Sequence, residues 1–260
     1  MTALVDARAI AMLARRSIVQ TFRYPRYLAP IIVMPSLFLA LNTGGAGRAV
    51  DLPNFPEVHG FLDYELAAAM LQSTLLAGVS AGIALGLDIE LGFMDRLIAS
   101  PVSRSIVVTG RLAASAAMGL VAGSFFIAIG LIFGARIEAG VPGVLVILAL
   151  LALASMAFGG LGAALALRAG SATVVQGIFP LVFVILFLST AFFPKALMLE
   201  PAQTVAAWNP LSLIADGLRD PVTSGLSWSS IGRGLAGVGI VAAISATLSA
   251  LALRHRLRSG

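Results

Sequence analysis

Six stretches of this chain run for about 20 residues or more without an Asp, Glu, Lys or Arg. They are Tyr27–Gly47, Leu66–Leu87, Leu112–Ala135, Ala139–Leu167, Ala169–Pro194 and Gly234–Leu253. A helix needs about 20 predominantly apolar residues to cross the hydrocarbon core of a bilayer. The expected fold is therefore an all-α membrane protein with six transmembrane helices, at about 27–44, 66–87, 110–134, 141–167, 172–193 and 232–253. Together they form one transmembrane domain over residues 1–260. Composition agrees: 11% of residues are charged, against about 25% in a soluble domain. The first run is the least regular, because Pro30 and Pro35 fall inside it and Asn42-Thr43-Gly44-Gly45 is expected to end it. Proline is tolerated in membrane helices where neighbours satisfy the carbonyls it frees.

Basic residues favour the cytoplasmic side of a membrane protein. With a cytoplasmic N-terminus and six crossings, that face holds Arg8, Arg15, Arg16, Arg23, Arg26, Arg96, Arg104, Arg111, Arg168, Arg254, Arg256 and Arg258. These twelve basic residues stand with four acidic ones, a balance of +8. The outer face holds five basic and eight acidic residues, a balance of −3. Both termini are expected in the cytoplasm, and the net charge of +5 reads as orientation in a membrane rather than nucleic-acid binding. The near-exclusive use of Arg over Lys and the abundant Ala point to a GC-rich bacterial genome, so the expected location is a bacterial cytoplasmic membrane. Asp6, Arg8, Arg15 and Arg16 interrupt any apolar core of a cleavable signal, so residues 1–26 read instead as a helix in the cytoplasmic interface, its arginines toward phospholipid headgroups.

Several chemistries are excluded. There is no cysteine, and His59 and His255 lie in separate polar segments, so no metal site is expected. The one lysine, Lys195, follows Phe-Phe-Pro, and no G-x-x-x-x-G-K-[ST] occurs, so these residues carry no P-loop. No carboxylate lies inside the six charge-free runs, which leaves no evident intramembrane proton relay. No cofactor is expected on this chain, and it is not expected to be an enzyme.

Two segments between spans stand out. Glu90 to Arg104 reads ELGFMDRLIASPVSR. Leu91, Met94 and Ile98 fall at helical spacing, and Pro101 ends the helix at Ser100. Such a short amphipathic cytoplasmic helix lies on the bilayer or its own spans, or enters a groove on a partner. After span five, residues 194–230 hold two pieces too short to cross, PAQTVAAW and LSLIADGLRD, separated by Asn209-Pro210. They are expected as short re-entrant or interfacial helices on the outer side, with Trp208 and Trp228 at the interface.

Glu90-x-x-x-x-Asp95-Arg96-Leu97-x-x-Ser100-Pro101-x-Ser103-Arg104 resembles the E-x-G-[TS]-x-[ED]-R-L-x-x-[TS]-P-[VL]-[SR]-R stretch of ABC-2 type transporter permeases. Phe192-Phe193-Pro194, Trp208-Asn209-Pro210-Leu211 and Asp216-x-x-Arg219 resemble that family's segment after span five. The likeness is strongest to the drug- and lipid-exporting branch of daunorubicin-resistance type. It covers nearly the whole chain, departing at Leu199-Glu200-Pro201, where the family often has Met-Pro. The resemblance implies a type V exporter fold in which residues 90–99 form a coupling helix docked on an ATP-binding subunit. Glu90, Asp95, Arg96 and Arg104 would then supply its polar groups, Leu91, Phe93, Met94 and Leu97 its apolar contacts, and Pro101 its end. Phe193, Pro194, Trp208, Asn209, Pro210 and Arg219 would belong to an outer gate. Implied partners are two copies of the ATPase, which hold the ATP and magnesium, a second six-span permease copy, identical or paralogous, and membrane lipid. Spans one and five would meet at the centre of the permease pair. The implied function is export of an amphipathic drug or lipid-like molecule. A polysaccharide or teichoic-acid exporter, or a self-contained channel or ion-coupled carrier, is the alternative.

Two patterns remain open at this level. Gly78, Gly82 and Gly86 share one face of span two and suit close helix packing, within the chain or between two copies. Phe179, Phe183 and Phe187 recur every four residues on span five, as an apolar export path or as a packing stripe.

Overall fold

The computed structural model describes residues 25–92 and 104–259, together with Met12, Arg15 and Val19 of the leader, which are helical and exposed. Among the described residues there are nine α-helices, α1 (Pro25–Ala46), α2 (Phe61–Glu90), α3 (Arg104–Ile132), α4 (Gly140–Ala169), α5 (Ala172–Gly177), α6 (Phe179–Phe187), α7 (Ala202–Trp208), α8 (Pro210–Thr223) and α9 (Trp228–Ser259). Five of them, α1, α2, α3, α4 and α9, contain segments long and apolar enough to cross a membrane.

The fifth expected span is divided. α5 stops at Gly177, and α6 begins at Phe179 with Pro180 in its first turn. Proline at a helix start gives up only an N–H that would have no intrahelical partner there. Here Pro180 opens a new helix rather than kinking a continuous one. α6 then ends at Phe187, and residues 188–194 leave it as irregular chain with Ser189, Ala191 and Phe192 buried.

α2 is the central element. It packs on α1, α3, α4, α5 and α8. It also starts earlier than the charge-free run suggests, taking Asp63, Tyr64 and Glu65 into its buried first turns. Glu65 is fully buried and accepts a 2.6 Å hydrogen bond from Asn42 Nδ2 on α1. Asp63 accepts one from the Arg136 backbone N–H at 3.1 Å. These carboxylates fit inside the helix because other parts of the chain supply their partners. Carboxylates just before the second charge-free run thus lie within α2.

Gly78, Gly82 and Gly86 face the chain's own helices. A Cβ on Gly78 would meet the Phe158 backbone of α4 at 2.6 Å, one on Gly82 the Gly162 carbonyl at 2.7 Å, and one on Gly86 the Ala172 nitrogen of α5 at 2.6 Å. The stripe allows α2 to touch α4 and α5 backbone to backbone, as small residues do between membrane helices.

α1 continues through Asn42-Thr43-Gly44-Gly45 to Ala46, past its expected end. Both its prolines lie inside the helix. Pro35 has no N–H to give the Ile31 carbonyl four residues earlier. Ser73 Oγ of α2 donates a 2.7 Å hydrogen bond to that carbonyl instead. Replacing Ser73 by Ala should destabilise the fold by about 1 kcal/mol. In a Pro35→Ala background, which restores the missing N–H, the same change should cost less than half as much. A double-mutant unfolding cycle in mixed micelles measures this, and equal costs in both backgrounds would contradict it.

Candidate functional site

The segment that interrupts the apolar runs begins at the end of α2. Glu90 is the last residue of that helix, Leu91 is exposed, and Gly92 turns the chain away with φ of 64°. Phe93, Met94, Asp95, Arg96, Leu97, Pro101 and Ser103 lie outside the described residues. Arg104 opens α3.

The flanks of this segment are tied into the bundle. Glu90 Oε1 accepts the backbone N–H of Ala172 at 2.9 Å, the first residue of α5. That N–H belongs to a helix start and has no intrahelical acceptor, and a carboxylate there also suits the helix dipole. Two residues earlier, Asp88 pairs with Arg111 Nη2 of α3 at 2.5 Å. Displacement of residues 93–103 would thus pull on α2, α3 and α5 together. Glu90, expected among contacts to a partner, already holds one within the chain.

At the opposite end of α2 the expected gate residues form a connected assembly. Asn209 precedes Pro210, and its Oδ1 accepts the Leu211 N–H at 3.0 Å, capping α8. Its Nδ2 donates to the carbonyls of Ile185 at 2.8 Å and Leu188 at 3.0 Å, at the C-terminus of α6. One side chain therefore closes the start of one helix and the end of another. Ser212 Oγ donates to the Ala206 carbonyl of α7 at 2.7 Å and accepts the Thr190 N–H at 3.1 Å.

Arg219 on α8 is 6% exposed. Its Nη2 donates to the carbonyls of Thr190 at 2.9 Å and Ala191 at 2.7 Å, and its Nε to that of Tyr64 at 3.3 Å. Nη1 reaches Asp216 Oδ1 at 3.3 Å, and the guanidinium carbon lies 3.8 Å from the Tyr64 ring centroid. Tyr64 Oη in turn donates to the Thr190 carbonyl at 3.1 Å. Burial pushes the Asp216 carboxyl above the usual carboxylate range, opposed by Arg219 and the Thr190 hydroxyl. The guanidinium thus joins α8, the start of α2 and the irregular chain after α6.

The other expected gate residues divide. Pro194 is buried and Phe193 is exposed. Trp208 is 86% and Trp228 89% exposed, at the end of α7 and the start of α9. α7 is a seven-residue helix starting at Ala202, with Pro201 just before it. α8 runs through Pro221 to Thr223, three residues past the LSLIADGLRD piece. Tyr64, Thr190 and Ser212 gave no sequence signal, because the contacts that join them to other elements include partners 22 to 155 residues away.

Phe183 and Phe187 of α6 pack against Phe38 of α1, with ring centroids 6.1 and 5.8 Å apart. Phe187 also stacks on Phe192 at 4.7 Å. The Phe179 side chain lies outside the description. Val33, Leu37 and Leu41 on α1 and Leu181, Val184 and Ile185 on α6 remain exposed. Among the described residues no group of three or more His, Cys, Asp or Glu is placed to hold a metal ion.

Arg219→Ala should lower stability by about 2–4 kcal/mol, since it leaves several buried carbonyls without a donor. Arg219→Lys should recover less than half of that, because an ammonium cannot reproduce the planar fork or its stacking on Tyr64. Equilibrium unfolding in mixed micelles checks both, and a fully stable Lys variant would contradict the account.

A family model described as ABC-2 type transporter matches residues 8–222. That span holds both the tied flanks of residues 93–103 and the Asn209–Arg219 assembly. The chain is also 27% identical over 253 residues to the daunorubicin resistance ABC transporter permease protein DrrB1 of Streptomyces coeruleorubidus, covering 94% of this chain and 85% of that protein. With most of its length matched by the family model, and with several apolar helices fit to cross a bilayer, the chain belongs to the ABC-2 type transporter family.

Proposed function

We propose that this chain is the membrane-spanning subunit of an ATP-driven exporter, moving an amphipathic drug or lipid-like molecule outward across a bacterial cytoplasmic membrane. The observation that carries the reading is the family match over residues 8–222 in a sequence without a P-loop. Such a subunit takes its energy from a separate ATP-binding protein. The relative named for daunorubicin resistance favours a drug-like amphiphile over a glycan.

Six crossings fit the charge pattern. α5 and α6 form the remaining crossing, over Ala172–Phe187. At 1.5 Å per residue these 16 residues span about 24 Å, and the buried chain after α6 extends the reach toward the ~30 Å hydrocarbon core. Five crossings would put Arg254, Arg256 and Arg258 opposite the Arg-rich leader, against the preference of basic residues for one side.

The segment after the Leu91-Gly92 turn acts as the coupling element, with Phe93, Met94 and Leu97 in a groove of the ATPase and Asp95 and Arg96 at its rim. Closure of two ATPase subunits on ATP moves this helix, and the Glu90 and Asp88 contacts pass the motion to α5 and α3. The exposed apolar residues of α1 and α6 meet a second permease copy at the centre of the assembly. The Asn209–Arg219 assembly, α7 and α8 form the outer gate.

Co-expression with the ATPase encoded beside the gene tests this. Asp95→Ala and Arg96→Ala should each weaken the complex by about tenfold, equivalent to about 1.4 kcal/mol, with a matching fall in export. A stable complex whose hydrolysis and export ignore both changes would overturn the mechanism. So would substrate movement by this chain alone.

A further inference from the structure

A cavity of about 540 Å³ lies inside the single chain, bounded by α2, α3, α4 and α9 with Ile31 of α1 at one side. α4 forms its back and packs on each of the other three long helices. Its size falls within the roughly 300–1,000 Å³ of small-molecule sites. The walls are mainly apolar, with a few serine hydroxyls such as those of Ser115 and Ser245. Leu153 and Ala246 line it yet remain exposed, and both sit near the middle of their helices. The opening is therefore lateral, toward whatever surrounds the spans, and around a membrane helix that is hydrocarbon.

The polar group at one end is the Asp88–Arg111 ion pair, where α2 runs out and α3 begins. The Arg111 and Asp88 side chains keep 23% and 11% of their surface accessible. The charge pattern assigns this end to the cytoplasmic leaflet. An acyl chain that leaves the bilayer for this cavity exchanges one hydrocarbon surrounding for another, so chain burial gives little preference. Selection falls to the head. The Asp88–Arg111 pair presents a guanidinium suited to a phosphate and a carboxylate suited to an ammonium. A zwitterionic head with a primary ammonium matches both, whereas a purely anionic head leaves the carboxylate facing a like charge.

We propose that this cavity is a binding site within one subunit for an acyl chain of a phosphatidylethanolamine-type amphiphile, entering sideways from the cytoplasmic leaflet with its head on Asp88 and Arg111. The proposal rests on the chain being a membrane-spanning permease. The same chemistry is offered by bulk phospholipid and by an exported lipid-like molecule. A bulk lipid occupies the site whether or not the ATPase turns over, and an exported one is depleted from it on turnover.

The test uses the full chain with its ATPase in vesicles of phosphatidylethanolamine and phosphatidylglycerol in equal amounts. A trace of either lipid carries a photoreactive group in its acyl chain. The ethanolamine probe should label peptides covering residues 77–88 and 238–249 in preference to the glycerol probe. Ala84→Phe and Ala246→Phe, which fill the cavity, should cut this labelling by about fivefold, the scale of a modest loss in binding free energy. Ala250→Phe, on an exposed part of α9 outside the cavity, should leave it unchanged. Asp88→Asn should turn the preference toward the glycerol probe. Labelling spread evenly over the exposed helix faces of the unaltered protein would overturn the proposal, as would cavity labelling indifferent to both headgroup and filling. Complex formation and hydrolysis are read on the same vesicles. Their absence with labelling intact counts against the exporter reading and leaves this site standing.

Discussion

A backbone carbonyl in hydrocarbon has no water to accept from, and this chain breaks or strains its helices repeatedly. Three of these breaks come with a donor supplied from elsewhere. Pro35 frees the Ile31 carbonyl, and Ser73 takes it up. α6 ends after nine residues, and Asn209 bonds the Ile185 and Leu188 carbonyls there. The irregular chain that follows leaves Thr190 and Ala191 carbonyls buried, and Arg219 serves both. The same logic fixes the carboxylates: Glu65 on Asn42, Asp63 on the Arg136 N–H, Glu90 on the first N–H of α5. Interrupted helices are tolerable here because other helices complete them.

These contacts concentrate on α2 and α8. α2 supplies Ser73 to α1, the Tyr64 carbonyl and ring to Arg219, and Glu90 to α5, besides lying backbone to backbone against α4. Its two ends meet the two regions a transporter of this family would use. One leads into residues 93–103, and the other enters the Tyr64–Arg219 assembly. A rigid helix of 30 residues is about 45 Å long, enough to connect events on the two sides of a membrane. The glycine stripe brings it backbone to backbone against α4 and α5.

The long apolar helices were legible in the sequence, because apolar length acts locally and needs no partner to be recognised. Asn209-Pro210 was equally legible as a boundary, since a cap followed by proline at the first helical position is a local signal. The misses share one cause. Cutting the second run at Leu66 assumed that a carboxylate ends a span, yet Glu65 is buried with a partner 23 residues earlier. α8 passes Pro221 by two residues, and the Pro221 and Val222 carbonyls accept the N–H groups of Ala139 and Glu138 from a distant part of the chain. Whether Phe183 and Phe187 meet lipid, substrate or Phe38 depends on where α1 lies, which the spacing of the phenylalanines does not contain. The role of residues 93–101 rests on the motif and the family, not on described geometry.

The account stands or falls on which side of the membrane the 90–104 segment lies. The chain has no cysteine, so single cysteines can be read without background. Ala99→Cys and Leu199→Cys should be treated in intact cells with a membrane-impermeant maleimide, and again in inside-out vesicles. Six crossings with a cytoplasmic coupling segment predict Leu199→Cys labelled only in cells and Ala99→Cys only in inverted vesicles. Labelling of both from the same side, or of Ala99→Cys from outside the cell, would contradict it.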